Sequence, residues 1–329
     1  MDRVLVTGGS GFVGRRLLTH LHRIHPELEL HNLDVVPSGL PVVEHLSPVE
    51  VEETYSSLPP MDAVVHLAAV SREPGFPTSR YYEVNTWGTA ALGDWALAAG
   101  VRKVIFYSSI AVYGPAEEPT NEHSQMCPET PYGMSKLLGE QELRLRLGRA
   151  GTSLVVIRPG VVFGPGDDGN FARLARAVQQ GWFVFPGRTD TRKAAIYVDD
   201  LVDFTGWLLG YDCGESLTVN AVYDRAATVD EIVGHIGAAV GRRTRRVVVP
   251  EGLARVGVGV LGLAEAYKPP VKRMFHQRRV DKLLSSTNIV SDVLPQLPYT
   301  FPHSPAEAVG AWLSSGADGE TAPEDIAVS

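Results

Sequence analysis

Cysteine is nearly absent from this chain: 329 residues hold two, Cys127 and Cys213. They form no CxxC and no Cys/His cluster, which excludes a disulfide framework and a thiolate metal centre. Two reduced thiols fit a reducing compartment. Long apolar runs are lacking as well. The most apolar stretch, Val256 to Ala264, is interrupted by three glycines and falls far below the ~20 residues of a bilayer span. Met1-Asp2-Arg3-Val4-Leu5-Val6 runs directly into a strand pattern, without the apolar region and cleavage site of a secretory signal. Positive charge is in deficit. The 30 Lys+Arg against 38 Asp+Glu give a formal net charge of −8, which argues against a nucleic-acid binder relying on overall charge. Internal repeats and low-complexity tracts are missing. The expectation is a cytoplasmic protein with no membrane and no nucleic-acid partner, with room for about two domains at roughly 150 residues each.

What is present is an alternation of short apolar runs with longer amphipathic stretches. Val4–Val6, Leu28–Leu33, Ala63–Leu67, Val104–Tyr107 and Leu154–Ile157 read as strands. Helices are expected from Phe12 to Ile24, Ser79 to Ala99 and Pro131 to Leu147. Continuous β-branched runs between helices describe buried parallel strands, so the fold class is α/β with a doubly wound parallel sheet. Asp34 to Met61 holds five prolines and no convincing helix, so that crossover is shortened. Beyond Gly164 the spacing loosens: Asn170–Gln180, Asp199–Leu209 and Val229–Val240 read as helical, Ala194–Val198 and Leu217–Asn220 as extended. The Pro- and Gly-rich remainder points to a smaller C-terminal domain, and the acidic tail from Gly316 to disorder.

Thr7-Gly8-Gly9-Ser10-Gly11-Phe12-Val13-Gly14 lies between the first strand and the first helix. Gly8, Gly11 and Gly14 suit a tight turn, a close approach of backbone to a pyrophosphate, and close helix–strand packing. The helix N-terminus then offers free N–H groups to the anion. Asp34 ends the second strand, 20 residues beyond Gly14. A carboxylate there accepts from an adenosine ribose and repels a 2′-phosphate, favouring NAD over NADP; the plainer alternative is an Asp capping a turn.

Tyr132 and Lys136 share a helix face at i and i+4. A phenol near ~10 is a poor base at neutral pH, but a neighbouring cation favours the phenolate, which could take a hydroxyl proton as hydride leaves the same carbon. The spacing alone means little. It follows Tyr107-Ser108-Ser109-Ile110-Ala111 at the C-terminal end of a strand, where ligands bind in such sheets, and Ser109 is placed to hydrogen-bond the reacting oxygen.

With these motifs the sequence resembles the extended short-chain dehydrogenase/reductases, the NAD-dependent epimerase/dehydratase family. The matching features are the glycine loop, His66-Leu67-Ala68-Ala69, Val84-Asn85-Thr86-Trp87-Gly88-Thr89 and Tyr132 with Lys136, continuing through Arg158-Pro159, Phe163-Gly164-Pro165-Gly166 and Tyr197-Val198-Asp199-Asp200-Leu201. The resemblance implies a Rossmann NAD-binding domain at 1–168, with 194–227 returning to it. A mixed α/β substrate-binding domain follows at 169–193 and 228–315, with 316–329 a disordered tail. It implies a homodimer formed through a four-helix bundle of Ser79–Ala99 and Pro131–Leu147. It assigns Ser109, Tyr132 and Lys136 to catalysis. NAD falls to Gly8, Gly11, Phe12, Val13, Gly14, Asp34, Leu67, Ala68, Ala69, Asn85, Tyr132, Lys136, Pro159 and Val162. A nucleotide-sugar substrate falls to Ser109, Asn170 and either Arg192 or Lys193; Asn170 equally suits a helix N-cap. Lys193 stands where the family usually has Arg, whose bidentate fork a lysine cannot reproduce. No adenine-binding Asp is evident, since Val49–Glu53 offers only glutamates.

Dehydratases of this family carry an Asp-Glu pair after the hydroxyl residue, and decarboxylases often a Glu; here Ile110-Ala111 can transfer no proton. Such residues resemble those of the 4-epimerases or the 4-ketoreductases, and Asp34, which suits NAD, favours a UDP-hexose-type 4-epimerase, oxidising C4 transiently and returning hydride to the other face. The rivals are an NAD(P)H-dependent reductase of a 4-keto nucleotide sugar and a hydroxysteroid-type dehydrogenase. A non-catalytic NAD-binding regulator is disfavoured because it would not need Ser109, Tyr132 and Lys136 together. No metal site is expected: His20, His22 and His25 read as a solvated helix end. Arg242-Arg243 with Arg245-Arg246 reads as a solvated loop, and Leu253–Ala264 as a packed helix.

Overall fold

The computed structural model describes residues 1–46, 55, 58–73, 75–148, 151–253 and 284–315. Its central feature follows from the short apolar runs. Strands β1 (Arg3–Thr7), β2 (Glu29–Leu33), β3 (Glu44–Leu46), β4 (Ala63–His66), β5 (Lys103–Tyr107), β7 (Ser153–Pro159) and β12 (Ser216–Ala221) form one parallel sheet, ordered β12-β7-β5-β4-β1-β2-β3. Successive side chains point to opposite faces, and both faces are covered. Val4 and Val6 pack towards Leu17, Leu18 and Leu21 of α1 (Phe12–Ile24) and Leu201 and Phe204 of α6 (Val198–Gly210). Leu5, Val64, Val104 and Phe106 point the other way. They meet Leu92 and Ala96 of α3 (Thr89–Ala98) and Leu143 and Leu147 of α4 (Pro131–Leu147).

The helix expected over Ser79–Ala99 is three pieces: α2 (Thr78–Tyr82), a π-helical turn over Glu83–Gly88, and α3. The shortened crossover contains β3, a three-residue strand too brief to show a pattern. Of the returning segment, α6 packs on α1 and β12 pairs with β7, but β11 (Ala195–Tyr197) stays outside the large sheet and pairs with β8 (Val161–Phe163). The α6 C-terminus is capped by a buried cation: Lys103 Nζ donates to the carbonyls of Leu208, Leu209 and Tyr211 at 2.9, 3.2 and 2.6 Å.

Among the described residues the smaller region has two sheets. One is ordered β13 (Ala227–Thr228), β10 (Arg192–Lys193), β15 (Thr287–Ile289), β6 (Ala116–Thr120), so it borrows β6 from the first half of the chain. The other pairs β14 (Arg245–Val249) with β9 (Trp182–Pro186). Helices α5 (Asn170–Gln179), α7 (Val229–Ala239) and α8 (Pro305–Ser315) pack beside them. α7 opens with a reciprocal capping box between Thr228 and Glu231. The expected solvated end of α1 needs correction at His20. It is buried, lies against Gly206 of α6 and within 3.5 Å of Asp203, and burial lowers its pKa. Val49–Glu53, the helix expected beyond Leu253 and the tail from Gly316 lie outside the described residues.

Candidate active site

The C-terminal ends of adjacent strands β7, β5, β4 and β1 bring the predicted residues to one edge of the sheet. Gly8 has φ +72°, and a Cβ there would sit 2.6 Å from the Ala68 nitrogen, so the glycine loop lies directly against the loop after β4. A Cβ on Gly14 would strike the Gly8 carbonyl, and one on Gly9 the Asn32 side chain. The close packing expected of one glycine in this loop is thus required at Gly14 and also at Gly9, which the sequence reading did not single out. Gly11, the N-cap of α1, brings no side chain to the first-turn N–H groups, which suits an anion. Asp34 accepts the Ser10 N–H at 2.9 Å and the Val35 N–H at 2.7 Å, and the Ser10 hydroxyl donates to Val36 O at 2.5 Å. The Asp therefore does cap a turn, and the carboxylate so fixed retains lone pairs for a ribose.

Ser109 is extended at φ −165°, and its hydroxyl oxygen accepts the Ala111 N–H at 3.1 Å. α4 opposite starts in the way its residues dictate, with Thr130 accepting the Gly133 N–H at 3.0 Å and Pro131 in the first turn. This brings the Tyr132 phenol to the Ser109 hydroxyl. Burial raises the phenol's pKa, the neighbouring Ser109 hydroxyl lowers it, and the Glu73 carboxylate raises it again. Glu73 also accepts the Tyr132 backbone N–H at 3.0 Å. One turn on, Lys136 is 1% exposed and its Nζ has no hydrogen-bond partner. It lies 4.3 Å from the Phe106 ring centroid. Burial pushes this ammonium down to about 7, opposed by Glu140. An orphaned lysine nitrogen beside a glycine cradle fits a ribose hydroxyl acceptor, and with it NAD.

Behind the trio lies a polar layer that sequence reasoning did not find. His66 is buried between Thr7 Oγ1 at 2.6 Å and Thr89 Oγ1 at 3.0 Å, and burial with the nearby Lys136 pushes it down to about 3, so the ring stays neutral. Glu140 accepts from Ser108 at 2.5 Å and from Arg158 at 2.8 and 2.6 Å. Arg158 Nη1 donates to the Tyr113 hydroxyl at 2.6 Å, which donates to Asn220 at 2.9 Å. Burial opposes the Arg158 charge, but Glu140 and Tyr113 hold its pKa above the ordinary value. The local hints were the i, i+4 spacing of Lys136 and Glu140 and the His-Leu-Ala-Ala segment; Glu73 left none.

Asn85 sits in the π-helical turn, not at the open edge. Its Oδ1 accepts the Val70 N–H at 2.8 Å, and its amide donates to Val70 O at 3.0 Å and Ser135 Oγ at 2.9 Å. Both amide protons are thereby engaged, and Asn85 fixes the loop carrying Leu67, Ala68 and Ala69 to α4. Leu67, Ala68 and Ala69 are half-buried where β4 ends, Pro159 ends β7, and Val162 lies on β8.

The substrate-side residues are not gathered as tightly. Asn170 is the first residue of α5 with Gly169 as N-cap, and its Oδ1 accepts from Arg173 at 3.2 Å. The capping is done by Asp167, which accepts the N–H groups of Gly169 at 2.7 Å and Ala172 at 3.3 Å; burial raises its pKa. On β10, Arg192 donates to Ala226 O at 2.9 Å and Lys193 to Ser285 O at 2.6 Å. Lys193 lines a cavity with Phe163, Phe171, Tyr223 and His235. Among the described residues one cluster has metal-ligand spacing: buried His31 has Glu29 at 3.1 Å on one ring nitrogen and Glu44 at 3.0 Å on the other. It belongs to the β2–β3 edge of the sheet, two strands from β4. No described helix is long and apolar enough to cross a membrane.

The family described as NAD dependent epimerase/dehydratase matches residues 4–220. The N-acetyl-α-D-glucosaminyl-diphospho-ditrans,octacis-undecaprenol 4-epimerase of Escherichia coli O157:H7 is 32% identical over 260 residues, 78% of each chain. A UDP-glucose 4-epimerase of Vibrio cholerae is 28% identical over 264 residues, 75% of this chain and 78% of that one. Among solved structures, the UDP-N-acetylglucosamine 4-epimerase of Methanobrevibacter ruminantium M1 in complex with UDP-N-acetylmuramic acid superposes with a TM-score of 0.75. It covers 96% of this chain and 98% of the other at 19% identity, a likeness of fold.

Proposed function

Because the chain belongs to the NAD-dependent epimerase/dehydratase family, we propose that it is a 4-epimerase of a sugar carried on a diphosphate. The observation that carries this reading is the Ser109–Tyr132–Lys136 arrangement with Ile110-Ala111, incapable of proton transfer, beside it. Bound NAD supplies a hydride acceptor and donor, and a positive ring near the phenol. The phenolic oxygen of Tyr132 takes the C4 hydroxyl proton and gives it back after the 4-keto sugar has turned over. Ser109 holds the reacting oxygen in line with that phenol. Lys136, lacking any protein acceptor, binds the cofactor's ribose and keeps positive charge one helical turn from the phenol. Gly8, Gly11 and the α1 N-terminus hold the pyrophosphate, and Asp34 the adenosine ribose, which disfavours NADPH and with it a biosynthetic ketoreductase.

A nucleotide sugar such as a UDP-hexose is one substrate this reading allows. A polyprenyl-diphosphate sugar is the other, favoured by the substrate named for the Escherichia coli relative. It is favoured also by Asp167, whose carboxylate occupies the α5 N-terminus on which a nucleotide diphosphate would rest. A homodimer through α2–α3 and α4 is proposed from the large apolar residues these helices leave exposed, Trp87, Leu97 and Leu145.

The test is to incubate the purified protein, without added cofactor, with UDP-, dTDP- and GDP-hexoses and with a polyprenyl-diphosphate N-acetylhexosamine. C4 inversion without net NADH supports the epimerase. A strict requirement for stoichiometric NAD(P)H and a keto sugar refutes it. Full activity in Tyr132→Phe refutes the assigned chemistry.

A further inference from the structure

We propose that the outer face of the β9–β14 sheet docks on an anionic membrane surface, so that the enzyme meets a lipid-borne sugar diphosphate where it is embedded. The inference rests on the reading of the site as a diphospho-sugar epimerase and deepens it to the lipid-linked substrate class.

The face joins exposed apolar and cationic groups. Trp182, 53% exposed, is in register with Arg245, and Val184 with Val247. Paired residues share a face, so these four alternate with Phe183 and Phe185, which are buried in the core. Val247 is 37% exposed on this face, whereas Val248 pairs with Phe185 and lies on the other; Leu253, 64% exposed, follows just past the end of β14. The nearby arginines divide. Arg246 pairs with Asp230 and Arg242 donates to Gln179 O, whereas Arg243 and Arg245 have no acidic partner among the described residues. An aromatic ring and branched aliphatics beside unpaired arginines suit the interface between headgroups and acyl chains.

Charge distribution along the chain selects the occupant. Residues 242–283 hold 11 of the 30 Lys and Arg but 3 of the 38 Asp and Glu. The chain is net acidic, yet this segment is strongly basic, and it contains the apolar run Val256–Ala264. A purely electrostatic partner such as RNA leaves Trp182 and Val247 without a role, whereas an anionic bilayer takes up both these apolar groups and the unpaired arginines. The placement also suits delivery to the site. Helix α5, whose N-terminus lies at the substrate side, ends just before Trp182, and ten helical residues span roughly 15 Å. The β9–β14 sheet therefore begins about one α5 length from that N-terminus, within the reach of a polyprenyl chain.

The experiment is flotation of the full-length protein with vesicles of phosphatidylethanolamine and phosphatidylglycerol, and with neutral phosphatidylcholine vesicles. It uses the wild type, Trp182→Glu and Arg243→Gln/Arg245→Gln, each also followed through thermal unfolding. Expected are wild-type flotation with the anionic vesicles alone and partitioning reduced at least about tenfold in the double-arginine variant. Melting temperatures within a few degrees of wild type in both variants show that they are folded. The proposal is overturned if the wild type stays with the soluble fraction, floats equally with neutral vesicles, or floats as well with either substitution. It is also overturned if the variants lose dimerisation or RNA binding instead. A wild type that floats but inverts no diphospho-sugar leaves the docking surface standing and removes the epimerase reading.

Discussion

Replacing Lys136 with methionine should stabilise the cofactor-free protein while abolishing turnover. The Lys136 ammonium is buried, has no hydrogen-bond partner and is compensated only by the Phe106 ring and a Glu140 already committed to Arg158. Burial pushes it down to about 7, whereas an unfolded lysine titrates near ~10.4. Between those values the unfolded chain binds more protons than the folded one, so this group makes stability rise with pH from 7 upward. The cost of holding it folded is at most about 4 kcal/mol at pH 7 and about 2 kcal/mol at pH 9. Relaxation around the site reduces that by about half, and methionine gives up a cation–π contact of about 1 kcal/mol. A net gain of about 1 kcal/mol remains, on the order of 2–4 °C in melting temperature. Thermal unfolding of the NAD-stripped proteins at pH 7, 8 and 9 checks it. The wild-type midpoint should climb towards that of Lys136→Met, which lacks this contribution, and NAD should protect the wild type more strongly. A variant that melts lower than wild type at pH 7, with the wild-type pH slope, would refute the reasoning: the ammonium would then be satisfied, not stranded.

Three further substitutions probe the rest of the site. Glu73→Gln removes a negative charge that raises the Tyr132 phenol, so the ascending limb of kcat/KM against pH should move to lower pH; an unmoved limb excludes Glu73 from tuning the base. Glu140→Gln leaves the buried Arg158 charge without its carboxylate and should cost about 3–5 kcal/mol in urea unfolding; a loss below about 1 kcal/mol would show that Tyr113 and Asn220 suffice. Gly8→Ala forces a Cβ into the left-handed region at φ +72° and to 2.6 Å from the Ala68 nitrogen. It should cost at least about 1–2 kcal/mol and release NAD during purification, and copurification of stoichiometric NAD would count against the packing argument.

What the sequence made legible is what local geometry encodes. The buried parallel strands announce themselves because both faces are covered, so Val4-Leu5-Val6 and Leu154–Ile157 are apolar throughout. α1 and α4 begin and end where their loop and cap residues require, at Gly11 before Phe12 and Thr130 before Pro131. β3 and β10 were not legible, being three and two residues long and held by neighbours distant in sequence. The π-helical turn was hidden because Glu83–Gly88 keeps helical composition, and only the bonds of Asn85 to Val70 and Ser135 show why the register slips there.

The same division runs through the site and has a chemical consequence. Ser109, Tyr132 and Lys136 carry a spacing and could be read from the chain, but the groups that set their protonation could not. Glu73 reaches Tyr132 from a loop 59 residues away, and Arg158 holds Glu140 from the next strand. Neither pairing leaves a local pattern, because tertiary contact alone creates it. The net charge of −8 misleads in the same way. An acidic chain can bind a dinucleotide because its pyrophosphate meets backbone N–H groups at the α1 N-terminus, not the average charge. At α5 the Asp167 carboxylate already sits at the N-terminus, taking the Gly169 N–H and the first-turn N–H of Ala172. Asp167→Asn therefore separates the two substrate classes: if it tightens UDP-hexose binding several-fold, the carboxylate has been excluding the nucleotide diphosphate, and the lipid-linked substrate gains support. Unchanged or weaker binding means that Asp167 only ties the loop, and the argument from it falls.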